Sequence, residues 1–238
     1  MAAGAGKVYL EPMSENTADW AAEAEARVLD AALPLIADAG WTSSTVRLAA
    51  SAAGLSAADA ALLLPNGPAD LAALLSRRHD QAALESLKGF EPRSLKVRER
   101  IRRAVEARVE AAAHDQAATR RLLGFLALPP HVPLGARLLW DSADLLWRWA
   151  GDTATDENHY SKRAILAGVL GPAIALRLSA GRRAAEAYVF HRVEDVMAFE
   201  KWKAGLPKLD LGLQAAGALG KLRYGLKPRP SEPQPPTP

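Results

Sequence analysis

The chain has no cysteine and only scattered histidines. Without cysteine among its 238 residues, it has no disulfide framework, no zinc knuckle and no thiol nucleophile, so its stability must come from packing. No two of the five histidines have the three- or four-residue spacing that would direct both rings at one metal from a single helix. We therefore expect no metal site.

Strand patterns and long apolar runs are also missing. Val, Ile and Thr are sparse, and Ala, Leu, Arg and Glu dominate the long segments, which predicts an all-α protein. No stretch approaches the ~20 uninterrupted apolar residues of a membrane span, and the N-terminus lacks the features of a secretory signal. We expect a soluble cytoplasmic protein, or one peripherally bound to the inner face of the membrane (the mitochondrial matrix side if the source is eukaryotic).

The sequence offers no recognisable catalytic set. Carboxylates stand at Asp141, Asp144, Asp152 and Asp156, but there is no base and nucleophile pair, no glycine-rich phosphate loop and no Glu-x-x-His motif for a di-iron site. We expect no catalytic residue and no enzyme activity. A small-molecule enzyme is the last of three hypotheses.

Helix-breaking residues divide the chain. Gly40 ends a first helix at 18–39, and Gly54 precedes a short helix capped by Ser56, which is helix-turn-helix spacing. LPPHVPLG is predicted to be a hinge and Pro172 a kink. Longer helices are expected at about 69–87, 94–113, 114–126, 134–150, 158–179 and 182–202, followed by a last short helix at 207–226. The predicted regions are a helix-turn-helix region at 18–90, a second helical domain at 91–204, an amphipathic helix at 205–227 and a Pro-rich disordered tail at 228–238.

The helix-turn-helix lacks the charge of a DNA reader. A recognition helix presents cations and amides to phosphates and base edges, but SAADAALLL has neither and carries Asp59. The nearest basic residue is Arg47, and the preceding helix is acidic. The net charge of +3 mildly favours an anionic partner without choosing between phospholipid and nucleic acid. We expect no nucleic-acid partner.

Several segments resemble known families. The helix-turn-helix is similar to that of TetR regulators. Over residues 20–226 the chain resembles the Coq-nine family of ubiquinone-biosynthesis accessory proteins, through DAALPLIADAGWT, AAGLS, LALPPHVPLGARLLWDSADLLWRWAGDTATDENHYSKRAILAG and a final amphipathic helix. The most specific part is W-x2-AGD-x2-TD-x-N-x-Y-x-[KR]-R, within residues 140–167.

The resemblance implies a TetR-like helical bundle with a degenerate helix-turn-helix. Such proteins are often dimeric and enclose an isoprenoid, a quinone or a phospholipid, with no cofactor. Family members bind the di-iron hydroxylase that acts on demethoxyubiquinone and present membrane-embedded quinone precursors to it, without being enzymes themselves. A TetR-type ligand-responsive transcriptional regulator is the alternative function.

The resemblance also implies a partner-facing patch. Its positions match Asp144, Leu146, Asp156, His159 and Tyr160, and mitochondrial members have Trp at the position of His159. From the residues themselves, Asp156 or Asn158 is placed to cap a helix that starts near His159. Capping does not explain Leu146 and Tyr160, which we expect to be exposed beside the turn. We interpret this turn as a docking edge for a partner protein.

Bulky apolar residues recur at helical spacing along 134–150. Trp140 and Trp147 lie on the same broad face and are expected to oppose the apolar helix ILAGVLGPAIALRL, in which Gly168 and Gly171 leave room for a ligand chain. Ordinary core packing is the alternative interpretation. The predicted lipid-binding residues are Phe125, Leu126, Leu139, Trp140, Trp147, Ile165 and Val169.

The segment 205–227 is predicted to bind a membrane surface. Its apolar arc is wider than domain packing normally uses, and the many cations around it suit an anionic bilayer. Its glycines lower its helical stability, so it is expected to order on lipid. A last core helix is the alternative. The predicted membrane-binding residues are Trp202, Leu206, Leu209, Leu213, Leu219, Lys221, Leu222 and Arg223.

Overall fold

The computed structural model describes residues 15–152 and 157–205, and every regular element within them is helical, so the all-α prediction is confirmed. Short 3₁₀ turns occupy Pro92–Ser94 and Pro129–His131. The helices are α1 Glu15–Ala39, α2 Ser43–Ala52, α3 Ala57–Leu63, α4 Pro68–Leu87, α5 Val97–His114, α6 Gln116–Leu126, α7 Val132–Trp149, α8 Glu157–Ser179 and α9 Arg182–Gly205.

The predicted helix-turn-helix is formed by α2 and α3, which meet at 119°. Thr42 Oγ1 accepts a hydrogen bond from Thr45 N at 3.1 Å and caps α2. Ser56 caps α3, as predicted, by accepting from Asp59 N at 3.1 Å. Gly54 turns the chain between them with φ +76°, a conformation that favours glycine. The architecture is consistent with a TetR-like bundle.

The helices pack around two apolar cores. The N-terminal core joins α1 to α4 through Val28, Ile36 and Leu71, and it also takes in Leu122 of α6. α6 therefore packs with the helix-turn-helix region, although it lies beyond residue 90. The C-terminal core is built mainly from α5, α7, α8 and α9, and its innermost side chains are Val105, Leu146, Leu170 and Val189.

The Pro-rich segment before α7, which the sequence predicts to be a hinge, is a short 3₁₀ turn that leads directly into the helix. Pro129–His131 forms a 3₁₀ turn, and α7 starts directly afterwards at Val132, with Pro133 in its first turn. Proline is tolerated there because the first helical N–H groups have no intrahelical acceptor. α8 runs from Glu157 to Ser179 with Pro172 inside it.

The chain divides after Asp195, and of the second unit, Val196–Pro238, the structure describes only 196–205, the end of α9. Trp202 belongs to this part of α9. The remaining predicted membrane-binding residues, the predicted tail and Asp156 lie outside the described residues. Within the described ranges no single helix has the length and apolar character to cross a bilayer, and two sharply bent helix pairs meet that criterion only jointly.

Candidate functional site

The turn after α7 is held by a glycine motif. Gly151 has φ +88°, its N–H donates to Arg148 O at 3.0 Å, and Asp152 N donates to Trp147 O at 3.0 Å. This is the Schellman arrangement that ends many helices. Arg100 of α5 adds a hydrogen bond from Nη1 to Ala150 O at 2.9 Å. The Ala-Gly-Asp segment of the motif, residues 150–152, therefore forms the C-terminal cap of α7.

A buried ion cluster joins α7 to α8. Arg163 is 1% exposed, and its Nε donates to Asp144 Oδ1 at 2.5 Å. Its Nη1 donates to Asp152 Oδ2 and to the backbone oxygen of His159, both at 3.1 Å. Lys162 Nζ donates to the other oxygen of Asp152 at 2.7 Å. We call Asp144, Asp152, Lys162 and Arg163 the turn cluster; it satisfies a buried guanidinium with two carboxylates.

The cations of the turn cluster keep its two carboxyl groups ionised. Burial by itself raises the pKa of a carboxyl, but hydrogen bonds from Arg163 and Arg148 outweigh burial at Asp144 and leave its pKa below the usual value. At Asp152 burial is likewise outweighed by hydrogen bonds from Lys162 and Arg163, and the pKa is lowered. Both carboxylates are therefore charged at neutral pH, which suits a structural lock rather than an acid catalyst.

An aromatic pair lies on the surface beside the turn cluster. Tyr160 is 64% exposed, and its ring stacks on Trp140 with centroids 6.2 Å apart. His159 meets the Tyr160 ring edge-on at 5.2 Å. We call Trp140, His159 and Tyr160 the docking edge. Such a surface offers a partner apolar area with polar ends.

The expectation that Leu146 is exposed beside this edge is wrong. Leu146 is 0% exposed and belongs to the C-terminal core. It lies on the inner stripe of α7 with Leu139, Ala143 and Ala150, whose spacing of three or four residues turns them all toward α5 and α8. Leu146 therefore supports the docking edge from within and cannot contact a partner's surface.

A cavity of about 380 Å³ lies between α4, α5, α6, α7 and α8. Val132 and Ala136 are exposed at its rim, so it reaches the surface where α6 gives way to α7. A Cβ at Gly171 would stand 3.3 Å from Leu139 Cδ1, so the glycine keeps this wall open. The apolar walls are formed by Leu122, Leu123, Leu126, Leu138, Leu139 and Ile174.

Buried polar residues form the inner end of the cavity. Arg108 Nε donates to Asp80 Oδ1 at 2.5 Å, and its Nη2 donates to Ser76 Oγ at 3.2 Å. His79 Nε2 lies 3.0 Å from Asp115 Oδ2. Burial and the nearby charge of Arg108 lower the pKa of His79 to about 4, so its ring is neutral at pH 7.

The predicted lipid-binding residues are separated by the fold. Leu126 and Leu139 line the cavity. Phe125 instead stacks on His131 at 4.0 Å and packs against the N-terminal core. Trp147 and Val169 are buried in the C-terminal core, and Trp147 Nε1 donates to Lys162 O at 3.1 Å. Trp140 belongs to the docking edge, and Ile165 is half-buried on α8.

The helix-turn-helix surface carries little positive charge. A groove of about 730 Å³ runs between α2, α3 and the start of α4, and Arg47 is the basic residue that lines it. Asp59 is engaged by Ser56 Oγ at 2.6 Å as part of the α3 cap. In the described part of the chain, no cluster of three or more His, Asp or Glu side chains is arranged to hold a metal ion.

Two buried arginines, Arg108 and Arg163, are absent from the residues predicted from sequence. The burial of Arg163 could be inferred from the sequence, because it shares an apolar helical stripe with Leu166, Leu170 and Ile174. A buried charge on such a stripe must be paired with an opposite charge. For Arg108 the signal is weaker, because RERIRRAVEARVE alternates charges all along α5.

These features define a class: a helical bundle with a cation-poor helix-turn-helix, an apolar side cavity with a polar end, and an exposed aromatic edge. The COQ9 family model matches residues 132–200, which contain the turn cluster and the docking edge. The chain belongs to the COQ9 family.

Three curated relatives are each named "Ubiquinone biosynthesis protein COQ9, mitochondrial". The Rattus norvegicus protein is 30% identical over 171 residues, covering 68% of this chain and 54% of the relative. The Bos taurus protein is 30% identical and the Homo sapiens protein 29% identical, each with 68% of this chain and 53% of the relative covered. The chain thus spans about half the length of the curated relatives it matches.

Proposed function

We propose that this chain is a non-catalytic, lipid-binding accessory protein of ubiquinone biosynthesis. In this proposal it associates with the membrane as a homodimer and presents quinone precursors to a di-iron hydroxylase. The names of the relatives support the ubiquinone pathway. The observation that carries lipid binding is the 380 Å³ cavity, whose volume is within the range of ~300–1,000 Å³ typical of ligand pockets.

The shape of the cavity suits a chain-like ligand. Leucines from α6 and α7 line its length, and its rim opens at Val132 and Ala136, so an isoprenoid or acyl chain can enter from the surface. Burial of each CH₂ contributes about 0.8 kcal/mol. A quinone precursor is favoured over other lipids because the relatives serve ubiquinone biosynthesis by name.

The docking edge is the proposed contact for the hydroxylase. Exposed aromatic residues with polar ends are enriched among interface residues that dominate binding energy. Tyr160 is exposed while the turn cluster beneath it is rigidly paired, so the ring is presented on a fixed base. His159 and Asp144 flank it, although Asp144 is also occupied by Arg163 and Arg148.

Membrane association is proposed for residues 205–227 from their sequence. Leucines there bury apolar area, and Lys221 and Arg223 are attracted to anionic lipid, at ~1 kcal/mol per cation near the surface. The relatives are mitochondrial by name, which supports a mitochondrial location. A matrix-side membrane surface is our proposal.

A transcriptional regulator is not favoured. The relatives are named as biosynthesis proteins, and α3 carries Asp59 but no cation to contact phosphate.

The cavity is tested by blocking its mouth. Ala136→Trp places a large ring at the exposed rim, and Ala175→Trp, at an exposed position of α8 that does not line the cavity, is the matched control. Native mass spectrometry after purification from membranes, and titration with a short-chain ubiquinone, should show lipid in the wild type and control and loss of it in Ala136→Trp. Equal lipid in all three proteins would contradict the proposal.

The docking edge is tested by Tyr160→Ala, with Phe190→Ala as a control because Phe190 is also an exposed aromatic residue. Co-purification with the hydroxylase should be lost in the first variant and kept in the second, while both still bind lipid. Retention of the complex by Tyr160→Ala would remove this contact from the proposal.

Membrane association is tested by deleting residues 206–238. The truncated protein should no longer float with anionic liposomes, and its circular dichroism melt should resemble that of the full chain. Unchanged flotation would refute the membrane role.

A further inference from the structure

The inner end of the cavity holds a charged donor that is incompletely satisfied. Arg108 is 4% exposed and lines the cavity, and its Nη1 is buried without a hydrogen-bond acceptor among the described residues. Buried polar atoms nearly always have a partner, because leaving one unpaired is unfavourable, and more so for a charged group. The two N–H groups of Arg108 Nη1 therefore require an acceptor that this part of the chain does not supply.

In the described part of the chain, Arg103 has the other buried nitrogen without an acceptor, and its surroundings differ from those of Arg108. Arg103 Nε also lacks an acceptor within the described ranges, but its guanidinium lies 4.7 Å from the centroid of the Phe90 ring and near the surface. That cation is partly compensated by the ring and by Glu99, whose Oε1 lies 3.5 Å from Arg103 Nη2. Arg108 has no such aromatic partner among the described residues and faces the apolar cavity.

The charges around Arg108 select against an anionic ligand. Asp80 already neutralises the guanidinium at 2.5 Å, and Ser142 Oγ donates to the same carboxylate oxygen at 2.6 Å. Asp115 adds a further negative charge beside His79, whose ring is neutral at pH 7. Arg78 also acts on His79, so the charges of Arg78 and Arg108 balance those of Asp80 and Asp115. Burial would penalise any further charge that a ligand brought.

We propose that the ligand of this cavity enters with an uncharged carbonyl oxygen foremost, which accepts a hydrogen bond from Arg108 Nη1, while its apolar chain lies along α6, α7 and α8. Ketones, quinones and esters share this acceptor. The inference rests on the proposed lipid-binding function and specifies which end of the molecule is bound deepest.

The test compares three probes of equal chain length with the full chain. Octane, 2-octanone and octanoate differ only in the polar end, and their affinities are measured by calorimetric titration at pH 7. A hydrogen bond to a charged donor corresponds to roughly a tenfold gain or more, so 2-octanone should bind about tenfold tighter than octane. Octanoate should bind more weakly than 2-octanone.

Variants locate the effect at Arg108. Arg108→Lys keeps the charge beside Asp80 but removes the planar fork, so the tenfold preference for 2-octanone over octane should fall to about twofold or less. Thr119→Val is the matched control: Thr119 is buried and lines the cavity, but its hydroxyl already donates to Ala112 O at 2.8 Å. The control should keep the preference. If Arg108→Lys does not fold, the three probes on the wild type still decide the question.

The outcomes separate this inference from the proposed function. If octane and 2-octanone bind equally, the carbonyl subsite is overturned while the lipid cavity stands. Tighter binding of octanoate overturns the preference for an uncharged ligand. If none of the probes binds, the lipid cavity itself fails, and the subsite with it. A decyl-substituted benzoquinone and methyl laurate then distinguish a quinone ring from an ester as the source of the carbonyl; either one competing with 2-octanone supports the inference.

Discussion

The two buried arginines of the bundle differ in how completely they are paired. Arg163, between α7 and α8, donates three hydrogen bonds from Nε and Nη1 and meets two carboxylates. Arg108, at the inner end of the cavity, meets one carboxylate and leaves Nη1 without an acceptor among the described residues. Arg163 is thus paired as a structural lock would be, whereas Arg108 keeps a donor for which we propose a ligand acceptor.

The surroundings of the two clusters support that distinction. The turn cluster closes a helix junction, and its carboxylates have lowered pKa values because Arg163 and its neighbours donate to them. The cavity end combines a neutral histidine with an arginine in an apolar wall. The turn cluster, with two carboxylates on one guanidinium, stabilises the fold at neutral pH, whereas the proposed carbonyl ligand would add stability at Arg108.

The largest effect is expected from removing Arg163, the arginine that meets two carboxylates. Arg163→Met leaves Asp144 and Asp152 without their buried partner and should lower the free energy of unfolding by about 3 to 5 kcal/mol. The control is Arg148→Met, because Arg148 is mostly exposed and pairs with the same Asp144, and an exposed pair is worth at most ~1 kcal/mol. Urea unfolding measures both. Equal losses in the two variants would break the distinction between a lock and a surface pair.

A smaller loss of stability is expected when the pH is lowered. The cavity end and the turn cluster should lose their stabilisation in different pH ranges. The folded pKa of His79 is about 4 against 6.5 when unfolded, so the unfolded state takes up its proton first and stability falls between pH 6.5 and 4. The expected loss from pH 7 to pH 5 is about 2 kcal/mol. Asp144 and Asp152 have lowered pKa values, so their stabilisation is lost only below about pH 4.

Urea unfolding at pH 7 and pH 5 measures the acid effect, with His79→Asn as the comparison. The variant should lose most of the difference between the two pH values. A wild type that is equally stable at both would show that His79 is not held neutral in the folded protein.

The smallest effects are expected from glycines, and they have opposite signs. Gly151 has φ +88°, so Gly151→Ala forces a side chain into the left-handed region and should lower stability by about 1 to 2 kcal/mol. Gly168 lies inside α8 with open space around its Cβ position, so Gly168→Ala should raise stability by roughly 0.5 to 1 kcal/mol. Thermal melts compare the two. Destabilisation by both would mean that the space beside Gly168 is occupied, as a bound chain or partner would do.

Local features could be predicted from the sequence, and long-range pairings could not. Ser56 as a cap and the separation of α2 from α3 follow from short-range rules, and both are present. Pairs such as Arg108 with Asp80 join residues 28 positions apart, so no local periodicity reveals them. Leu146 was assigned to the partner-facing patch by the family resemblance alone, whereas its helical stripe with Ala143 and Ala150 already indicates burial.

The site was predicted in outline but not in detail. The sequence placed His159 and Tyr160 at a docking edge beside the α7–α8 turn, and Tyr160 is exposed there, stacked on Trp140, which the sequence did not assign to that edge. It also grouped Trp140 and Trp147 on one lipid-facing surface, whereas the fold puts one at the edge and the other in the core. Helical spacing gives the angle of a residue around its own helix, but not which neighbour meets it.

The turn cluster has a consequence for how the protein changes during evolution. Losing Arg163 alone leaves Asp144 and Asp152 only their more exposed cations, Arg148 and Lys162. Losing either carboxylate alone leaves the buried cation of Arg163 half paired, so each single step passes through a less stable protein. Replacement of all three by apolar residues is accessible only by several substitutions at once. Across homologues, Asp144, Asp152 and Arg163 are therefore expected to be inherited or exchanged together as a set.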